Sequence, residues 1–132
     1  SEVMRTILLD TGMFLWLAFA SHRLPEAVRA ALRSGAHDWR VHQVSFWEIQ
    51  VKHDLGKLPM PAPPAELIPR IMKRTGLTEA PLSTEAIFFL GKLPSIHRDP
   101  FDRMLLAHAM HFGWEIATSD RTFARYPVRL FA

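Results

Sequence analysis

The chain has no cysteine among its 132 residues, which excludes disulfides and thiolate metal sites and accords with a reducing, cytoplasmic setting. Long apolar runs are also missing. The longest, Met13 to Ala20, falls well short of the roughly 20 residues that a membrane-spanning helix requires, so a soluble protein with no membrane partner is expected. Ser1 to Val3 lack the charged and apolar blocks of a signal peptide, and residues 1–3 are expected to be vector-derived or disordered. No internal repeat or low-complexity tract interrupts the chain, and no Gly-x-Gly-x-x-Gly turn marks a dinucleotide-binding domain. What is present is a 48% hydrophobic composition, enough for a single domain over residues 1–132 with a core of its own.

Apolar periodicity alternates between strand and helix. Arg5 to Leu9 reads as a buried strand that stops at Asp10, and a helix follows from about Met13. Pro25 to Arg33 reads as a helix ending near Gly35, and Trp39 to Val44 as a strand. Ser45-Phe46-Trp47-Glu48 matches a capping box opening a helix to about Leu55, with Gly56 as its stop. The loop from Pro59 to Pro64 holds four of the ten prolines. After it come a helix over Ala65 to Arg74, a short strand over Leu77 to Leu82 and a helix capped by Ser83 through about Leu90. A helix from Asp99 to Phe112, a strand over Trp114 to Thr118, a helical turn after Asp120 and a last strand over Val128 to Phe131 complete the pattern. This alternation predicts a three-layer α/β/α domain around a mostly parallel sheet.

The acids fall at one recurring place in that pattern. Asp10 ends the first strand, Glu48 lies just after the second, and Asp120 lies just past the strand that follows the Asp99 helix. In an open parallel sheet such positions share the rim beyond the carboxyl ends of the strands. Asp99 and Asp102 join them if the helix that they open points its N-terminus the same way. Sixteen Lys and Arg face thirteen Asp and Glu, a formal net charge of +3. With Asp10, Glu48, Asp99, Asp102 and Asp120 gathered in one place, eight acids remain against sixteen bases elsewhere. An acidic pit in a basic surround suits a polyanion held by its backbone while a cation acts on one phosphate. Clustered carboxylates repel unless a cation neutralises them, and all-oxygen ligands suit Mg²⁺ or Mn²⁺. The chemistry implied is metal-assisted phosphodiester hydrolysis.

His97-Arg98-Asp99-Pro100-Phe101-Asp102-Arg103 concentrates the signal. Asp99 suits an N-cap, Pro100 the first helical position, and Asp102 the third, where the positive end of the helix dipole favours a carboxylate. On a helical wheel Phe101, Leu105, His108 and Phe112 share one face. Asp102 stands about 100° from Phe101 at the border of that face, and Arg103 points nearly opposite. Asp102 is therefore the preferred site residue, while Asp99 serves as cap, ligand or both. His108 and His111 have no third spaced ligand, which argues against zinc. Trp16, Trp47, Phe88 and Phe89 lie in apolar stripes and are read as core or dimer interface rather than base-stacking platforms.

Four blocks taken together resemble the PIN-domain family, specifically VapC-type toxin ribonucleases of toxin-antitoxin systems. They are Leu8-Leu9-Asp10-Thr11 with Leu15-Trp16, Ser45-x-Trp47-Glu48-Ile49 with Lys52 and Leu55-Gly56-Lys57-Leu58, the His97 to Arg103 segment, and Thr118-Ser119-Asp120 with Phe123 and Tyr126. The resemblance implies a parallel-sheet nuclease fold, Mg²⁺ or Mn²⁺ dependence, endonucleolytic cleavage of RNA, a homodimer and a cognate antitoxin. It carries the acidic quartet over to Asp10, Glu48, Asp102 and Asp120, and places Asp99 in the subgroup with the Arg-Asp-Pro-Phe-Asp signature. Thr11 and Ser119 match positions beside the acids that hold a carboxylate or a water on the metal, and Arg103 is counted as a supporting residue.

One departure stands out, because many relatives with this signature carry His where this chain has Gly12. A polar contribution beside Asp10 is thereby missing. The alternative to a nuclease is a catalytically idle module of the same fold that binds RNA or antitoxin; retention of all four acids argues against it. A haloacid-dehalogenase-type phosphatase requires a second Asp two residues after the first, and that position is again Gly12.

Overall fold

A computed structural model of the chain describes residues 4–131; the expectation for residues 1–3 lies outside them. Five strands form one sheet, β1 (Thr6–Leu9), β2 (Asp38–His42), β3 (Thr78–Ala80), β4 (Glu115–Ala117) and β5 (Arg129–Leu130). Their order is β3-β2-β1-β4-β5, with every pairing parallel. β1 is central, with Leu9 level with Val41 on one side and Ala117 on the other. Ile7, Leu8 and Leu9 are fully buried, as expected of a parallel strand covered on both faces.

The covering helices are α1 (Thr11–Phe19), α2 (Glu26–Ser34), α3 (Gln43–Asp54), α4 (Pro64–Thr75), α5 (Thr84–Phe88) and α6 (Pro100–Phe112). Strand alternation sorts the core into two layers. Ile7, Leu9, Trp39 and Val41 pack with Met13 and Phe14 of α1, Val28 of α2, Ile49 of α3 and Ile71 of α4. Leu8 and Ile116 face the other way, onto Leu105, Leu106 and Ala109 of α6 and onto Phe123 and Tyr126. Helices on both faces of a parallel sheet give the expected three-layer α/β/α architecture. No helix among the described residues is long and apolar enough to cross a membrane.

Several boundaries differ from the sequence expectations for local reasons. α1 starts at Thr11 rather than near Met13, because Asp10 Oδ1 accepts the Met13 N–H (2.8 Å) and caps the helix itself. α3 starts at Gln43 rather than after Ser45, because the buried His42 ring accepts the Val44 N–H at Nδ1 (3.0 Å) and replaces the expected capping box. Ser45 is then interior to the helix, and Glu48 lies in its second turn, one turn before Lys52. The segment capped by Ser83 is helical only to Phe88 and continues as a 3₁₀ turn over Phe89–Lys92. On α6, Leu106, Ala107 and Ala109 join Leu105 and His108 in the core, while Phe112 is half exposed. Of the four aromatics read as apolar-stripe residues, Trp16 and Phe89 pack against the core, whereas Trp47 and Phe88 are 57% and 76% exposed.

His42 and His108 form a buried pair, with ring centroids 4.1 Å apart and neither ring reaching solvent. His108 Nε2 accepts the Ser83 N–H (3.0 Å) and Nδ1 lies 2.8 Å from Met104 O, so the neutral ring carries its proton on Nδ1. Both nitrogens are used in packing β3, α5 and α6 together, which accounts for His108 without a metal. Burial, and secondarily the neighbouring His108, depresses the His42 pKa to about 3, and burial also lowers that of His108. These rings are neutral in the folded chain but protonate in the unfolded chain near pH 6.5. The His42 contribution to stability is present above that pH and is lost as pH falls from 6.5 towards 3, and that of His108 changes in the same direction. Urea unfolding followed from pH 7.5 to 5 will show a falling midpoint in the wild type. His42→Asn, which keeps a cap acceptor and cannot titrate, will remove about one proton's worth of slope, at most about 1.4 kcal/mol per pH unit.

Candidate functional site

Parallel strands deliver their carboxyl ends to one rim, and the acids read from the sequence assemble there. Asp10 follows β1 and is tied to the next strand, its N–H donating to Ala117 O (3.1 Å). Its carboxylate is 8% exposed as a residue and has both oxygens occupied. Oδ1 accepts the Met13 N–H, and Oδ2 accepts the Thr118 hydroxyl at 2.6 Å. Burial raises the Asp10 pKa, the two hydrogen bonds oppose the rise, and the charges of Asp120 and Glu48 add to it.

Glu48 reaches the rim from α3 and is likewise fully engaged. Thr11 donates to Oε1 (2.7 Å), with Ser45 Oγ 2.9 Å from the same Thr11 hydroxyl. Lys52 donates to Oε2. Its ammonium is also held charged by Asp99 and Asp102, so Lys52 is a cation facing the acidic group.

α6 presents its N-terminus to the same place. Asp99 Oδ1 accepts from Phe101 N–H (2.8 Å) and Asp102 N–H (3.3 Å), which makes it a cap in fact. Asp102, three residues on, receives no hydrogen bond from any described residue. Its pKa is raised to about 7, first by burial and then by Asp99 and Glu48, with His97 opposing and Asp10 adding a smaller push.

Asp120 follows β4 and caps a 3₁₀ turn over Arg121–Arg125 through Oδ1, which accepts the Thr122 N–H (2.9 Å). Its Oδ2 lies 3.2 Å from His97 Nε2. Burial acts to raise the Asp120 pKa, but the Thr122 and His97 hydrogen bonds together hold it below the usual value. One atom each from His97, Asp102 and Asp120 lie mutually within 4.8 Å, close enough to share a cation. The two carboxylates of that group fit one, because Asp102 is a partly desolvated carboxylate beside other carboxylates and has no donor among the described residues.

The supporting residues sort differently. Thr11 donates to Glu48. The hydroxyl on Asp10 belongs to Thr118, whereas Ser119 is exposed. Arg103 turns away from the acids and donates to Pro94 O (2.8 Å), anchoring the loop before α6. Sequence reasoning assigned no role to His97, Thr118 or Lys52, although all three lie in the quoted blocks; the spacing of Lys52 one helical turn after Glu48 was the available signal. At Gly12 a Cβ would meet Asp10 Oδ1 at 3.7 Å, an ordinary contact, so packing does not force the missing side chain there.

The family model described as PIN domain matches residues 7–129. The chain belongs to the PIN domain family. This PIN domain is 26% identical over 121 residues to Ribonuclease VapC22 of Mycobacterium tuberculosis, a match covering 89% of each chain. It superposes with a TM-score of 0.73 on a structure of VapBC2 from Rickettsia felis bound to a promoter DNA fragment, at 16% identity, covering 96% of this chain and 97% of that one. DNA-bound VapBC from Salmonella typhimurium gives 0.69 at 18% identity, with 97% and 98% covered. FitAcB from Neisseria gonorrhoeae gives 0.65 at 19%, with 96% of each chain covered.

Two substitutions probe this arrangement in the PIN domain without cation. A carboxyl whose folded pKa lies above its unfolded value loses stability as pH rises through the window between them, here from about 4 to about 7 for Asp102. Asp102→Asn will therefore stabilise the metal-free protein at pH 8, by on the order of 2 kcal/mol after solvent screening, and much less at pH 4. Thermal unfolding at the two pH values checks this. Thr118→Val removes one of the two donors to buried Asp10, together with the acceptor of the Asp120 N–H, and will cost about 1–3 kcal/mol at pH 7, read by urea unfolding.

Proposed function

We propose that the chain is a divalent-cation-dependent endoribonuclease and the toxin of a toxin-antitoxin pair. The observation that carries this reading is Asp102, a partly desolvated carboxylate without a donor, set among Asp10, Glu48, Asp99 and Asp120 at the rim of the parallel sheet. We assign Asp10, Glu48, Asp102 and Asp120 to cation binding and catalysis, with Asp99 first a cap and second a source of one further oxygen. Oxygen-rich ligands suit Mg²⁺ or Mn²⁺. Such an ion, when bound, supplies positive charge to a phosphoryl oxygen and lowers the pKa of an attacking water.

The chain's own residues set the stage for that chemistry. Met13 N–H and Thr118 fix both oxygens of Asp10, and Thr11 with Lys52 fixes both of Glu48. These two carboxylates therefore approach a ligand in one orientation, without a search over rotamers. Asp102 is the group free to receive positive charge. The basic residues outside the acidic group draw an RNA backbone by its phosphates. RNA as the polymer is favoured by the match to a protein named as a ribonuclease, and an antitoxin partner by neighbours that are VapBC complexes. Exposed Phe19, Trp47, Leu55, Leu82 and Phe88 give a protein partner or a second copy of the chain apolar surface to cover.

Incubation with structured RNA, with and without Mn²⁺ or EDTA, tests the reading. Cleavage will need the ion, and Asp10→Asn and Asp102→Asn will each reduce it by roughly 100-fold or more. Cleavage unchanged in both variants would overturn the assignment. Mn²⁺ at pH 8 will also raise the melting temperature of the wild type and leave that of Asp102→Asn nearly unmoved.

A further inference from the structure

We propose that His97 is a positioning residue whose ring clamps Asp120 beside Asp102, so that the two carboxylates face one cation. The inference rests on the cation-site reading above and adds to the acidic quartet a group that the quartet does not contain.

Three observations carry it. The first is contact, since His97 Nε2 stands 3.2 Å from Asp120 Oδ2, while the other carboxylate oxygen is spent on the Thr122 N–H. The second is the way the ring is held. It stacks on Tyr126 at 5.4 Å with an interplanar angle of 14° and meets the edge of Phe123 at 5.1 Å, and both of those partners are buried. Its own backbone N–H donates to the Tyr126 hydroxyl (2.7 Å), and Arg103 pins the start of the same loop at Pro94 O. The side chain is 11% exposed, against 42% for Asp120, so the ring is the fixed partner and the carboxylate the one being placed.

The third is the tautomer. His97 Nδ1 is buried without a hydrogen-bond partner. A proton there would be a buried, unpaired donor, whereas a lone pair costs less to leave unpaired. The proton therefore sits on Nε2 and points at Asp120, making the ring a donor to the carboxylate. Donors of this kind behind a ligating carboxylate orient it, and their loss typically weakens metal binding.

The experiment measures Mn²⁺ binding by calorimetry and by the electron paramagnetic resonance of free Mn²⁺, with RNA absent. It uses wild type, His97→Phe, which keeps an aromatic ring against Tyr126 and Phe123 but has no donor, and His97→Gln, which returns an N–H donor without an imidazole. Folding of each is confirmed by circular dichroism. Wild type binds; His97→Phe weakens binding roughly 10- to 100-fold; His97→Gln recovers most of the loss. Equal binding by wild type and His97→Phe overturns the inference. Loss in both variants overturns it in favour of direct ligation by the imidazole. If His97→Phe does not fold, His97→Gln decides alone, near-wild-type binding supporting the positioning role and loss overturning it. Absence of Mn²⁺ binding by the wild type would instead defeat the cation-site reading on which the inference stands.

Discussion

Five strands running in one direction oblige each to release its chain at the same edge of the sheet, and in this molecule the released residues include one buried and one half-exposed acid. Asp10 after β1 and Asp120 after β4 arrive there by topology alone, because β1 and β4 are hydrogen-bonded neighbours in parallel register. Like charges in a poorly solvated place are costly, and the surrounding structure reads as a set of responses to that cost. Asp10 takes a helix N–H and a threonine hydroxyl; Glu48 takes a threonine hydroxyl and a lysine; Asp120 takes a backbone N–H and an imidazole. Each donor comes from a segment that also caps, pairs or packs. The polar layer is consequently continuous with the fold rather than attached to it.

Most of the fold was legible because its signals are local and redundant. The Ile/Leu-rich run before Asp10, the glycines that end α2, α4 and α6 in left-handed conformations, and Asp99-Pro100 at the start of α6 each announce an element from within a few residues. The α3 boundary was not legible. Ser45 to Glu48 has the letters of a capping box, but His42 supplies the acceptor, and an imidazole cap depends on the ring being buried against His108, far away in the chain. Tertiary packing here overrode a correct local rule. β3 shortened for a related reason, since its pairing with β2 ends at His42, level with Ala80.

The site shows the same division. Carboxylates at strand ends and at a helix N-terminus are readable from spacing, whereas the donors that hold them, Thr11 and Lys52 apart, are not. Thr118 and Ser119 are adjacent hydroxyls, and an extended segment points neighbouring side chains to opposite faces. Only the register of β4 against β1 turns Thr118 toward Asp10. His97 precedes the α6 cap in an irregular segment where no periodicity applies, and its direction is set by Tyr126 and Phe123, which come more than twenty residues later.

Asp102 is the exception that gives the arrangement its meaning. A hydrogen-bond donor placed on it would stabilise the folded chain in the way that Thr118 stabilises Asp10, and the α6 terminus offers backbone N–H groups close by. Asp99 takes two of these instead, those of Phe101 and Asp102 itself. The cap thus diverts nearby donors and, by its own charge, pushes the Asp102 pKa further up. A carboxylate with a donor already in place must give it up, or share it, when a cation arrives; one without a donor has both oxygens available. Stability withheld at that one position is returned by whatever positive charge binds there, so the cap and the candidate ligand on α6 are two parts of one device.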